Sequence, residues 1–332
     1  MSSGTVALPP LLLGGFTAVL KDSTGPEALE IIGQEFARPD TLVPVEIAAW
    51  APGSEEDRLY ADVCHLDVTK DFTRSRAEDF IAEATAKGTK VVALGYYGNP
   101  LDPDPSISGP AITQIKNVIT AVSLFNECGQ DTVYSGFIGG DSSLDADDNI
   151  PGFRKVWGDD LIPFLKDHNA KMGAEPCQMD FGPAQGKRGI NFFNCPRVFD
   201  IVFNEADCEA LGLTPDPAHA AREGQDPAYV LKKYAGRVYH LHLKDARVDQ
   251  DRLDHNGRKG YSLDYHTPVL PGYGAVNFAE YIRTARQLGI RRGVVEVEDR
   301  RWEKGTLFAT NTEAARDAFR VSNNYLKMLC YV

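Results

Sequence analysis

The stretch DFIAEATAKGTKVVALGYYG, residues 79–98, contains the unit from which the fold of the whole chain can be predicted. Phe80 and Ala84 lie four residues apart, the spacing that places apolar side chains on one face of a helix. Gly88 suits the left-handed cap that ends many helices, and the apolar run around Val92 is typical of a buried strand. The stretch therefore predicts a helix that packs on a sheet and is followed at once by a strand of that sheet.

The same alternation of helix and strand continues in both directions along the chain. Segment 112–122 has apolar residues at helical spacing and stops at Gly129, and a further helix is predicted over residues 312–329. This alternation is what a parallel sheet with crossover helices requires. Eight runs have strand character, and they are centred near Leu12, Val45, Val92, Val133, Met172, Leu213, Val238 and Val294.

Eight strand–helix units with no Pro/Ser-rich linker predict a single domain over residues 1–332. We expect an α/β fold, a closed (β/α)8 TIM barrel with extended loops at its C-terminal face. An open, doubly wound sheet is the alternative, and the lack of a GxGxxG turn after the first strand weakens it. The long connections 139–157 and 244–274 are predicted to be loops, either functional lids and contact surfaces or merely mobile insertions.

Composition limits the classes of function. The formal net charge of −12 produces a negative surface potential that disfavours nucleic acid as a partner. The six cysteines are scattered without a CxxC pair, which predicts free thiols and a cytoplasmic location. Pro9 and Pro10 interrupt the apolar N-terminal stretch, so it is interpreted as a first strand and not as a signal peptide. No run reaches the roughly 20 apolar residues that span a bilayer.

Polar residues end the last four strands of the predicted barrel. They are Glu175 on the fifth strand, Asp216 on the sixth, His242 on the seventh and Glu296 on the eighth. In a TIM barrel the active site is built at these C-terminal strand ends. Side chains alternate along a strand, so His240 shares a face with His242, and Glu298 shares one with Glu296.

Two glutamates, an aspartate and a histidine make an oxygen-rich donor set that suits Mn²⁺ or Mg²⁺, with Co²⁺ and Zn²⁺ as alternatives. Three carboxylates in one barrel mouth would repel each other unless a cation neutralised them. Simpler interpretations stay open at this point. His242 could be a core histidine, Glu175 and Glu296 could form buried ion pairs, and Asp216 could cap the following helix.

Five short motifs occur in order along the second half of the chain. They are a strand-end Glu-Pro at 175–176, DPxH at 216–219, HxHxKD at 240–245, PGxG at 271–274 and VExED at 295–299. Together they resemble the xylose-isomerase-like TIM barrels of the sugar phosphate isomerase and epimerase superfamily. Each motif alone is weak, but five in this order, with four at strand ends, form a fairly specific pattern.

The resemblance implies roles for individual residues. The metal ligands would be Glu175, Asp216, His242 and Glu296, with Glu175 and Glu296 doubling as the catalytic acid/base pair. His219 falls at a substrate-contacting position, and His240 is a further candidate for substrate binding or support of the site. The basic residues Lys187, Arg188, Lys244 and Arg247 could bind a substrate phosphate or could pair with acidic neighbours.

The predicted function is that of a metal-dependent isomerase or epimerase, which removes a proton next to the carbonyl of a sugar or keto-sugar and forms an enediolate. The alternative is a lyase or dehydratase on the same barrel, such as an inosose dehydratase or a 3-keto-glycoside (C-glycoside) deglycosidase subunit. An abasic-site endonuclease and a non-catalytic sugar-binding barrel are weaker alternatives. The resemblance also implies a homo-oligomer, with a smaller second subunit as a variant.

Overall fold

The computed structural model describes residues 8–53, 63–69, 71–179, 189–257, 265–302 and 304–330. Strands β1 to β7 and β10 form one parallel sheet, and β8 and β9 form a separate antiparallel pair. The strands are β1 (Leu12–Phe16), β2 (Val43–Ala48), β3 (Thr89–Gly95), β4 (Val133–Gly136), β5 (Met172–Ala174), β6 (Leu211–Leu213), β7 (His242–Leu243), β8 (Asp245–Val248), β9 (His266–Val269) and β10 (Arg292–Val295).

The parallel sheet is curled into a ring. Its strand order is β6-β5-β4-β3-β2-β1-β10-β7, so β10 is the eighth strand of the barrel. A parallel bridge between Leu213 and Val238 joins β6 to the segment that leads into β7. The backbone N–H of Tyr239 also donates to the carbonyl of Leu213 at 2.9 Å. These contacts bring the two ends of the sheet together, which confirms the predicted TIM barrel and makes the open-sheet alternative wrong.

Helices surround the ring and connect its strands. They are α1 (Gly25–Glu35), α2 (Arg74–Ala86), α3 (Pro105–Glu127), α4 (Ile150–Phe153), α5 (Ile162–Asp167), α6 (Pro196–Ala206), α7 (Pro217–Arg222), α8 (Pro227–Lys233), α9 (Gln250–Asn256), α10 (Phe278–Gln287) and α11 (Asn311–Leu329). The two predicted glycine caps are confirmed, since Gly88 and Gly129 follow α2 and α3 with φ angles of +74° and +81°. None of the described helices is long and apolar enough to cross a membrane.

The two long connections contain more regular structure than the sequence predicts. The second half of 139–157 enters α4 and a π-helical segment, Arg154–Leu161, so the prediction of a loop there is wrong. Connection 244–274 contains β8, α9 and β9. The few apolar residues of this connection suggested a loop, because β8 and β9 form a separate pair in which five of the eight residues are not buried.

Candidate metal centre

Four side chains from neighbouring strands converge at the mouth of the barrel. Glu175 directly follows β5, Asp216 lies three residues after β6, His242 begins β7, and Glu296 directly follows β10. One donor atom from each of the four lies within 4.8 Å of the others, and all four side chains are buried. The structure thus brings together the four residues that the sequence singled out, while their role as ligands stays a prediction.

The imidazole of His242 has carboxylates at both of its nitrogens. Nε2 lies 2.8 Å from Glu46 Oε2, whereas Nδ1 lies 3.2 Å from Glu175 Oε1 and 3.1 Å from Glu296 Oε2. Burial lowers the pKa of His242, but these carboxylates raise it well above its usual value. Because a carboxylate only accepts hydrogen bonds, Nε2 carries a hydrogen, and Nδ1 faces Glu175 and Glu296 through either a proton or a cation.

Glu46 is a buried carboxylate in the middle of β2. Its Oε2 accepts from His240 Nε2 at 2.8 Å as well as from His242, and its Oε1 accepts from the Tyr97 hydroxyl at 2.6 Å. Burial raises the pKa of Glu46, but the two histidines outweigh this effect and lower the pKa to about 2. A Cβ atom at Gly95 would lie 2.4 Å from Glu46 Oε1, so that glycine leaves the space in which the carboxylate sits.

Sequence reasoning missed Glu46, although a signal was present. It is the one charged residue in the otherwise apolar strand VPVEIA of β2, and a buried carboxylate needs partners. Glu46, His240 and His242 also form a second group with metal-ligand chemistry. Their mutual hydrogen bonds already account for their closeness, so we assign this group to support of the first one.

The two oxygens of Asp216 have different surroundings. Oδ1 accepts a hydrogen bond from the backbone N–H of Ala218 at 2.8 Å and caps α7. Oδ2 is buried and lies 2.9 Å from Lys244 Nζ and 3.2 Å from His219 Nε2, although no group in the described part of the chain gives it a hydrogen bond of good geometry. The prediction that Asp216 caps a helix is therefore confirmed for Oδ1, which caps α7. Oδ2 faces the other residues of the cluster.

Of the other predicted site residues, some lie at the cluster and some do not. Lys244 is buried, and its Nζ lies within 3.2 Å of oxygens of Asp216, Glu296 and Glu298. His240 points to Glu46, beneath the cluster. Arg247 is exposed on β8 and is not brought into the cluster, because the hairpin has left the barrel there. Lys187 and Arg188 lie outside the described residues.

Two of the motifs form one structural unit beside the cluster. The buried carboxylate of Asp245, from HxHxKD, accepts hydrogen bonds from the backbone N–H groups of Ala246, Gly272, Gly274 and Val276. A Cβ atom at Gly274 would lie only 2.3 Å from Asp245 Oδ1. The aspartate of one motif thus anchors the PGxG loop of the other, and only glycine fits at the point of closest approach.

The donor set fits a divalent ion. Carboxylate oxygens and one imidazole nitrogen are the ligands that Mn²⁺ and Mg²⁺ accept. Asp216 Oδ2 is a buried oxygen that faces the cationic Lys244 ammonium, and His242 Nδ1 faces two carboxylates. A cation would be bound by Glu175, Asp216, His242 and Glu296. It would then be the partner of both Asp216 Oδ2 and His242 Nδ1.

The chain belongs to the family of xylose isomerase-like TIM barrels, whose pattern matches residues 58–325. An inosose dehydratase from Bacillus cereus (strain AH820) is 46% identical over 79 residues, which are 23% of this chain and 26% of that protein. The rhizopine catabolism protein MocC of Rhizobium meliloti is 34% identical over 97 residues, 27% of this chain and 29% of MocC. The chain thus spans under a third of the length of these curated relatives.

Solved structures share the whole fold at low sequence identity. A xylose isomerase domain protein from Planctomyces limnophilus superposes with a TM-score of 0.66 at 17% identity, over 97% of this chain and 98% of that one. The 3-keto-D-glucoside 4-epimerase YcjR from E. coli gives a TM-score of 0.63 at 14% identity, over 96% and 99% of the two chains. The likeness to these structures therefore shows a shared barrel fold.

Proposed function

We propose that this protein is a metal-dependent enzyme that removes a proton from the carbon next to the carbonyl of a sugar or keto-sugar. The observation that carries the proposal is the arrangement around His242, whose Nδ1 lies 3.2 Å from Glu175 and 3.1 Å from Glu296 while Glu46 occupies Nε2. Glu175, Asp216, His242 and Glu296 would hold one Mn²⁺ or Mg²⁺, with Co²⁺ and Zn²⁺ as alternatives.

A divalent ion at this place would polarise the carbonyl and the adjacent hydroxyl of the substrate and so acidify the C–H bond between them. Glu175 and Glu296 are the acid/base pair of the proposal, because they follow strands that lie three apart in the ring, β5 and β10. One carboxylate takes the proton on one side of the substrate, and the other returns a proton from the opposite side.

The surroundings of Glu175 affect how well it can act as a base. Burial raises the pKa of Glu175, but hydrogen bonds from His219 and His242 lower it well below its usual value. Glu175 is a weak base in this state, so substrate binding has to loosen these contacts before Glu175 accepts a proton. In this proposal His219, whose Nε2 lies 3.2 Å from Asp216 Oδ2 and 3.6 Å from Glu175 Oε1, donates to a substrate oxygen.

Return of the proton to the same carbon gives an epimer, and return to the neighbouring carbon gives an isomer. Loss of a leaving group one carbon further gives a dehydration or another elimination. This dehydratase activity is the second candidate function, and it is favoured by the 46% identity with part of an inosose dehydratase.

The test is solvent exchange in D₂O with the Mn²⁺-loaded protein and a panel of ketoses, inososes and 3-keto-glucosides, followed by NMR. We expect deuterium at the carbon beside the carbonyl of the substrate or product. E175Q and E296Q should each lower the rate by about 10² or more, whereas E127Q, at an exposed glutamate, should not. Turnover without deuterium incorporation, and without a primary isotope effect from substrate deuterated at that carbon, would refute the proposal.

We also propose that the protein acts in the cytoplasm as a homo-oligomer, with a smaller second subunit as the variant assembly. All six cysteines are free, which fits a reducing compartment. Light scattering of the purified protein would test the assembly, and a monomer at micromolar concentration would contradict it.

A further inference from the structure

Lys244 places an ammonium group against three carboxylates of the cluster. Its Nζ lies 2.9 Å from Asp216 Oδ2, 3.0 Å from Glu296 Oε2 and 3.2 Å from Glu298 Oε2. The residue is only 2% exposed. Three carboxylate oxygens around one buried ammonium group are the surroundings that favour its positively charged form.

Two of these oxygens are also the donors that a divalent ion would use. Asp216 Oδ1 is committed to the cap of α7, which leaves only Oδ2 for a cation. Glu296 Oε2 lies 3.0 Å from Lys244 Nζ and 3.1 Å from His242 Nδ1, between the ammonium and the imidazole. The lysine and the ion would therefore share Asp216 Oδ2 and Glu296 Oε2.

Glu298 differs from the other two partners of Lys244. It is not one of the four grouped donors, and its side chain is 21% exposed, compared with 0% for Asp216 and 8% for Glu296. Glu298 can thus keep Lys244 when the other two oxygens turn to an ion. The Lys244 ammonium would then keep its contact with the Glu298 carboxylate.

We infer that Lys244 is a built-in counter-ion, which offsets part of the negative charge of the cluster when no divalent ion is present and competes with that ion for Asp216 and Glu296. The inference rests on the proposed function, since it concerns the ion that the function requires. Two like charges that share ligands repel each other, so Lys244 weakens the binding of the ion. It also keeps the ion-free carboxylates from repelling one another.

The test compares Mn²⁺ binding by the full-length wild-type protein and K244M, using titration calorimetry and thermal unfolding. K244M should bind Mn²⁺ at least about tenfold more tightly, because a repelling charge is gone. Its ion-free form should unfold at a lower temperature than the wild type, and Mn²⁺ should restore most of that loss. K244R keeps the charge and should keep the wild-type affinity to within about threefold. K232M removes the charge of a lysine that is paired with Glu280 on α10, away from the cluster, and should change neither measurement.

The outcomes separate this inference from the proposed function. Equal or weaker Mn²⁺ binding by K244M, beside normal binding by the wild type, would overturn the inference alone and make Lys244 a scaffold for the ligands. No binding by either protein would overturn the proposed function and the inference with it. If K244M does not fold even with Mn²⁺, K244Q decides, because its amide keeps a polar group beside the carboxylates without the positive charge. Tighter Mn²⁺ binding by K244Q than by the wild type supports the inference, and equal or weaker binding contradicts it.

Discussion

At the scale of single residues, His242 links the interior of the barrel to its mouth. Glu46 fixes a hydrogen on Nε2, which orients the ring and leaves Nδ1 facing Glu175 and Glu296. The Tyr97 hydroxyl and His240 in turn hold the carboxylate of Glu46. The side chain that orients the proposed ligand is thus itself fixed by two further hydrogen bonds.

The first prediction concerns Glu46. E46Q keeps the shape of the side chain but removes the charge and one acceptor, so the orientation of His242 becomes less well defined. We expect Mn²⁺ affinity, measured by titration calorimetry, to fall by about 10- to 100-fold, with an unchanged circular dichroism spectrum. E30Q, at a glutamate paired with Lys87 on the outside of the barrel, is the matched control. Wild-type affinity in E46Q would show that Glu46 does not support the ligand.

The second prediction follows from the proton on His242. The surrounding carboxylates raise the folded-state pKa of His242 well above its usual value of about 6.5. The stabilisation from this proton is therefore complete below pH 6.5 in the ion-free protein and is lost as the pH rises through the folded-state pKa. An ion must displace the proton, so Mn²⁺ affinity should increase by about tenfold per pH unit below that pKa.

The displacement of the His242 proton by Mn²⁺ can be measured by titration calorimetry at pH 7 in buffers of different ionisation enthalpy. We expect about one proton to be released for each Mn²⁺ bound. A binding enthalpy that is the same in all buffers would mean that Nδ1 carries no proton in the ion-free protein.

At the scale of elements, the β8–β9 hairpin and the PGxG loop are held to the barrel by Asp245. Four backbone N–H groups donate to this one carboxylate. Burial raises the pKa of Asp245, and the hydrogen bonds from these donors offset part of that rise. The unit lies directly after His242 and Lys244 in the chain and fixes the backbone on the β7 side of the candidate site.

The third prediction is that D245A destabilises the protein by about 3 kcal/mol, because four backbone N–H groups, two of them in buried hydrogen bonds, lose their acceptor. The measurement is the free energy of unfolding in urea. D254A on α9, where the exposed carboxylate accepts from the side chain of Gln250, should change it by less than about 0.5 kcal/mol. A loss below about 1 kcal/mol in D245A would show that the loop holds its position without the aspartate.

At the scale of the whole molecule, the barrel explains what the sequence could and could not predict. Apolar periodicity identifies the eight strands, and strand ends identify Glu175, Asp216, His242 and Glu296, because a closed ring brings all C-terminal ends to one face. The hairpin was missed because its few apolar residues resemble those of a loop. Glu46 was missed because its partners lie 194 and 196 residues away and are known only once the ring is closed.

The central claim, that four strand-end residues hold one divalent ion, is tested most directly by the metal content of the purified protein. After incubation with Mn²⁺ and desalting, elemental analysis should find about one ion per wild-type chain and far less in H242A and E296A, with both variants folded. An ion-free wild type, or about one ion per chain in both variants, would contradict the account.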